Sequence, residues 1–131
     1  MKIEHFAFNV ADPEAVADWY VKNMGLTVAR KIDHGPKTHF LADESGDTMI
    51  EIYNNPPGEV PPYADMNPLI VHLAFVCEDP DGKRAELEKV GASHVEDVRL
   101  DDGSILTMMR DPFGFSIQLC KRGKPMLARQ Q

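Results

Sequence analysis

The chain has 131 residues, 43% hydrophobic and 27% charged, enough for a compact domain with its own core. Its net charge of −7, with the basic residues scattered, excludes a phosphate-tracking nucleic-acid surface. No apolar stretch approaches membrane-spanning length, and the opening residues are too short and polar a run for a secretory leader, so no membrane association is expected.

In chain order, residues 3–10 alternate as a strand. Asp12-Pro13 then predicts a helix start, because the carboxylate caps orphan N–H groups and proline loses nothing at the first helical position. Val16, Trp19, Tyr20 and Met24 follow at helical spacing, and Gly25 predicts the stop. Three strand-like runs come next, at 26–32, 38–41 and 48–53. A proline-rich stretch, 55–68, reads as a linker, since prolines at that density fit neither a central strand nor a helix interior. The pattern then restarts with a strand at 69–77 and a helix from Asp79-Pro80, carrying Lys83, Arg84, Leu87 and Val90, to Gly91. Strands at 93–98, 104–110 and 115–119 complete it. A third Asp-Pro, Asp111-Pro112, leads into Phe113-Gly114 and predicts a tight turn between strands.

The order β-α-β-β-β thus occurs twice, and the halves match at one offset. His72 follows His5 by 67 residues, Asp79-Pro80 follows Asp12-Pro13 by 67, and Gln118 follows Glu51 by 67. We read the chain as a tandem duplication within a single α+β domain: a first module over 1–54, the linker 55–68, a second module over 69–121 and a tail over 122–131.

Strand alternation assigns faces. Phe6, Phe8 and Val10 oppose His5, Ala7 and Asn9; Leu73, Phe75 and Cys77 oppose His72, Ala74 and Val76. Ile50 and Ile52 oppose Met49, Glu51 and Tyr53; Ile117 and Leu119 oppose Ser116, Gln118 and Cys120. The bulky faces are expected beneath the helices. The other faces carry His5, Glu51, His72 and Gln118, one per strand, which converge if the sheet curls. Each alone has an ordinary structural reading; together, at symmetric positions, they predict a divalent-metal site, with zinc, nickel, cobalt, manganese or iron suited to nitrogen and oxygen donors. His34, His39 and His94 are read as surface or substrate-rim residues. Cys77 and Cys120 form no CxxC pair and sit in apolar runs, which predicts buried reduced thiols in a cytoplasmic protein.

The segments IEHFAFNVADPEAVADWYVKNMGL, TMIEIYNN, VHLAFVCEDPD and DPFGFSIQLCKR resemble the vicinal oxygen chelate superfamily, which includes glyoxalase I, bleomycin-resistance proteins and extradiol dioxygenases. The resemblance covers roughly residues 2–121. It implies paired βαβββ modules in a cupped, incomplete eight-stranded barrel, a metal held by His5, Glu51, His72 and Gln118, and a homodimer. Gln118 departs from the pattern, since the closing motif of the family normally carries Glu there. An amide oxygen binds metal weakly and accepts no proton at neutral pH. That counts against an Fe(II) dioxygenase, whose triad ends in Glu, and leaves Glu51 as the only carboxylate of the four.

The resulting expectation is a metal-dependent glyoxalase-like lyase or isomerase on a small carbonyl substrate, with Glu51 as ligand and proton shuttle. Met49, Tyr53, Met108 and Arg110 are expected to line the hollow or its rim, Arg110 meeting a substrate carboxylate. The alternatives are a protein of the bleomycin-resistance kind that binds a small molecule without chemistry and, disfavoured by Gln118, an oxygen-using Fe(II) dioxygenase.

Overall fold

The computed structural model describes residues 1–127, so the end of the expected tail, residues 128–131, lies outside the described residues. The chain divides into two compact units, with the boundary between Pro61 and Pro62, inside the stretch read as the linker. The first unit contains β1 (His5–Asn9), α1 (Pro13–Met24), β2 (Thr27–Lys31), β3 (His39–Ala42) and β4 (Met49–Tyr53). The second opens on a short 3-10 turn (Tyr63–Asp65), followed by β5 (Leu73–Val76), α2 (Pro80–Glu88), β6 (Ser93–Arg99), β7 (Ile105–Arg110) and β8 (Ser116–Lys121). Among the described residues no helix is long and apolar enough to cross a membrane.

Each unit is a helix packed on an open, mixed four-stranded sheet, in the orders β1-β4-β3-β2 and β5-β8-β7-β6. The first and last strands of each unit pair in parallel, and the other pairs are antiparallel. The ladders repeat the sequence offset. Ala7 faces Glu51 and Phe8 faces Ile52; 67 residues on, Ala74 faces Gln118 and Phe75 faces Leu119. Both second strands carry a register shift against the third, after Val28 in one unit and after His94 in the other. These correspond at an offset of 66, so the run from the helix start to the bulge is one residue shorter in the second unit. A duplicated bulge is strong evidence of common descent, since bulges are specific devices for bending a strand.

Local chemistry explains the helices. Asp12 accepts a hydrogen bond from the Ala15 backbone N–H at 3.2 Å, and Asp79 from that of Gly82 at 3.1 Å, each with proline entering the first turn. Gly25 closes α1 in the left-handed region at φ 71°. In α2 the last helical residue is Glu88, three before the expected Gly91 stop. Val16, Trp19 and Tyr20 pack with Phe8, Leu41, Ile50 and Ile52 to form the first core. In the second unit, Leu87 packs with Met109, Ile117 and Leu119. Each such fully buried side chain contributes about 1.5–3 kcal/mol against the ordering cost of its segment.

Three local expectations need correction. Phe6 is half exposed and does not pack under the helix, lying against the Phe8 ring at a 6.0 Å centroid distance. His39, read as a surface or rim residue, is buried, with Nδ1 2.7 Å from the Lys37 carbonyl. The fifth strand starts at Leu73 and not at residue 69, because Asn67 forms a turn: its Oδ1 accepts from the Leu69 N–H at 2.9 Å, and its carbonyl accepts from that of Ile70 at 3.0 Å. His72 is therefore the residue just before the strand.

Candidate functional site

In the first unit the face away from α1 is built as read from alternation. Ile50 and Ile52 are buried beneath the helix, while Met49, Glu51 and Tyr53 are turned the other way and only partly covered. Met49 stands opposite His5, Glu51 between Ala7 and Phe40, and Tyr53 opposite Asn9. The His5 imidazole meets the Phe40 ring edge-on at 5.6 Å.

His5 lies between two carboxylates. Its Nδ1 is 2.9 Å from Glu4 Oε1 and its Nε2 is 3.2 Å from Glu51 Oε1. An ionised carboxylate only accepts, so a neutral ring that donates from Nδ1 to Glu4 turns a bare lone pair from Nε2 onto Glu51. Two acceptors at that separation repel. The Nε2–Glu51 contact is favourable when that nitrogen carries a proton or when a cation lies between Nε2 and Oε1. The spacing fits both states: it is within hydrogen-bond reach of a protonated nitrogen, and two donors each about 2.1 Å from one ion and 3.2 Å apart subtend about 100°, a normal ligand angle.

The second unit repeats the imidazole but not the carboxylate. His72 Nδ1 lies 3.0 Å from the Pro68 carbonyl, which can only accept, so this ring too carries its proton on Nδ1 and leaves Nε2 as the donor atom. Ring nitrogens of metal ligands are held in this way, by a carboxylate or carbonyl on the other nitrogen. Gln118 stands between Ala74 and Met108, as Glu51 stands between Ala7 and Phe40. Its Oε1 accepts from the Cys120 thiol at 3.1 Å. Burial pushes the Cys120 thiol up from its ordinary value, outweighing the opposing pull of Arg122. Cys120 is thus a neutral donor on the same face as Gln118. Cys77, also raised chiefly by burial, follows the opposite alternation. Both thiols are free.

Within the first unit, an imidazole nitrogen and a carboxylate oxygen are donors that suit a divalent ion. Among the described residues, no group of three or more His, Cys, Asp or Glu side chains is gathered that could hold a metal ion. The pair that is brought into contact is His5 with Glu51.

The Arg110 guanidinium is engaged within the second unit. Its Nη1 donates to the carbonyls of Tyr63 at 2.7 Å and Gly114 at 3.2 Å and to Ser116 Oγ at 3.2 Å, and its Nη2 donates to the Met66 carbonyl at 2.8 Å. Sequence reasoning passed over Glu4, Phe40 and Asn9. Asn9 sits on the His5 face, where its amide donates to the Pro56 and Glu59 carbonyls and its oxygen accepts from the Asn55 N–H. Its place in the alternation was the available signal.

Residues 2–119 match the family model described as the Glyoxalase/Bleomycin resistance protein/Dioxygenase superfamily. Among solved structures, the chain is similar to the protein SMU.1112c, at 27% identity over 92% of this chain and 98% of that one, with a TM-score of 0.70. It also shares its fold with TnmS3, an antibiotic binding protein from Streptomyces sp. CB03234, at 20% identity over 93% and 96% of the two chains and a TM-score of 0.70. Lactoylglutathione lyase from Agrobacterium tumefaciens aligns at 19% identity over 90% and 91%, with a TM-score of 0.64. A comparison with curated proteins gave no match.

Proposed function

The chain belongs to the Glyoxalase/Bleomycin resistance protein/Dioxygenase superfamily, and on that premise we propose that it is a metal-dependent lyase or isomerase of the glyoxalase kind acting on a small carbonyl substrate. The observation that supports this reading is the His5–Glu51 contact, in which an imidazole whose Nδ1 lies 2.9 Å from Glu4 places its Nε2 3.2 Å from a second carboxylate. His5, Glu51, His72 and Gln118 would hold the ion, within one chain or across a homodimer. A bound divalent ion supplies Lewis-acid polarisation of the substrate oxygens.

Glu51 moves the proton. Its Oε1 is held by His5, which leaves Oε2 to take a proton from the carbon next to the substrate carbonyl and return it to a neighbouring atom. Gln118 cannot share that work, so the chemistry is one-sided, with the base supplied by the first unit and a neutral orienting donor by the second. Met49 stands opposite His5, Tyr53 opposite Asn9 and Met108 opposite Gln118, and they would shape the apolar part of the hollow. A cytoplasmic location fits the two free thiols.

Gln118 also favours a second reading. A site with one carboxylate, whose amide already accepts a thiol hydrogen bond, suits capture of an organic ligand without chemistry. The two readings separate on a metal-dependent turnover assay with thiohemiacetals and CoA thioesters. Turnover abolished by Glu51→Gln supports the enzyme. Ligand-induced stabilisation without turnover, unchanged by chelator, supports the binding protein.

A further inference from the structure

We infer that Arg110 is a positioning residue for His72, acting through the segment 63–68 that crosses the second sheet. The inference rests on the reading of His72 as a ligand, but the geometry behind it is independent of any bound ion. His72 precedes β5, so no ladder bond fixes it within the strand; its ring is oriented by the Pro68 carbonyl at 3.0 Å. The position of that carbonyl depends on how residues 63–68 are held.

One guanidinium ties two of their carbonyls to the β7–β8 turn. Arg110 donates to the Tyr63 and Met66 carbonyls on the segment, and to the Gly114 carbonyl and Ser116 Oγ on the β7–β8 turn beneath it. A planar fork can bind both sides at once; a lysine ammonium, with three donors on one atom, cannot span the same four acceptors. Two further contacts seat the segment. The Tyr63 ring meets the Phe115 ring edge-on at 4.9 Å, and Gly114, at φ 91°, lies so close to Ala64 that a Cβ there would come within 2.7 Å of the Ala64 Cβ. From Met66 the chain runs through the Asn67 turn to Pro68, two residues on. The β7–β8 ladder places Arg110 opposite Ser116, and by the 67-residue repeat of the His5–Met49 pair, Ser116 is the ladder position beside His72.

Among the described residues, the first unit shows no such arrangement. There the equivalent ring, His5, is oriented by the side chain of its own neighbour Glu4. Arg110 therefore affects one imidazole and not the other, which gives the test an internal control.

The test is imidazole nitrogen NMR on the full chain, free of metal, at about pH 8 where histidine is neutral. In the native protein the His72 ring should show the Nδ1–H tautomer. In Arg110→Ala the His72 signals should shift toward the mixed-tautomer pattern of a free histidine while those of His5 stay in place, and zinc affinity should fall about 10- to 100-fold. Arg110→Lys, which keeps the charge and supports the fold if the alanine variant does not, should restore only part of both. A native His72 tautomer in either folded variant overturns the inference, as does an equal change at His5. If the tautomer shifts but the native protein binds no zinc, Arg110 positions His72 and the metal reading is the part that fails.

Discussion

Glu51 and Gln118 occupy the same ladder position in the two sheets, each with an alanine of the parallel neighbour on one side and a larger apolar residue, Phe40 or Met108, on the other. The backbone around them is duplicated and the chemistry is not. A carboxylate faces an imidazole in one unit, whereas an amide accepts from a thiol in the other.

Gln118→Glu restores the symmetric pair. It should tighten zinc or cobalt binding by at least about tenfold, because a carboxylate is a far stronger donor than an amide oxygen. Calorimetric titration checks this, and an unchanged affinity would show that residue 118 does not bind the metal.

Glu51→Gln removes the one carboxylate. Metal affinity should drop by about 100-fold or more and turnover should disappear, while the fold persists because Glu51 is only partly buried and outside the core. The same substitution replaces the charged acceptor facing His5 Nε2 with an amide that can also donate to it, so the His5 imidazole nitrogen signals should change as well.

Gly114→Ala and Gly25→Ala separate strain from collision. Both glycines have positive φ, but nothing lies within 4 Å of a Cβ at Gly25, whereas one at Gly114 meets Ala64. Gly25→Ala should cost about 1–2 kcal/mol from the left-handed backbone alone. Gly114→Ala should cost about 1–3 kcal/mol more. Equal losses in chemical denaturation would mean that residues 63–66 lift away freely.

Acid should loosen the second unit through Asp97. Burial works to raise this carboxyl, but the hydrogen bond from His94 at 2.9 Å and the charges of His94 and Arg84 outweigh it and hold it below the usual carboxylate range. A depressed folded value means that the contribution is present above the unfolded value of about 3.9 and is lost as pH falls through the folded one. In Asp97→Asn, thermal stability should be lower by about 0.5–1 kcal/mol at pH 6, with the difference closing toward pH 3.

Much of this was legible in the sequence, for identifiable reasons. Asp-Pro is a helix start with a mechanism, and both copies cap as expected. The alternation of residues 49–53 placed Glu51 away from the helix, because a strand buried on one face has little freedom of register. The setting of His72 was not legible, since it depends on a turn made by the Asn67 side chain at a position where apolar residues imitated a strand. The burial of His39 was hidden for the opposite reason, a neighbouring Gly-Pro that imitated an exposed turn. The partners of Arg110 are three backbone carbonyls and the Ser116 hydroxyl, up to 47 residues distant in sequence, and periodicity carries no signal for them.

The central claim is that His5, Glu51 and His72 bind one divalent ion, and the most direct measurement is the metal content of the native chain beside His72→Ala, both purified without added metal. The account predicts close to one zinc, nickel, cobalt, manganese or iron ion per chain in the native protein and loss of that ion in the variant. A native chain that stays metal-free and takes up none from a metal buffer, or a variant that keeps full occupancy, would contradict it.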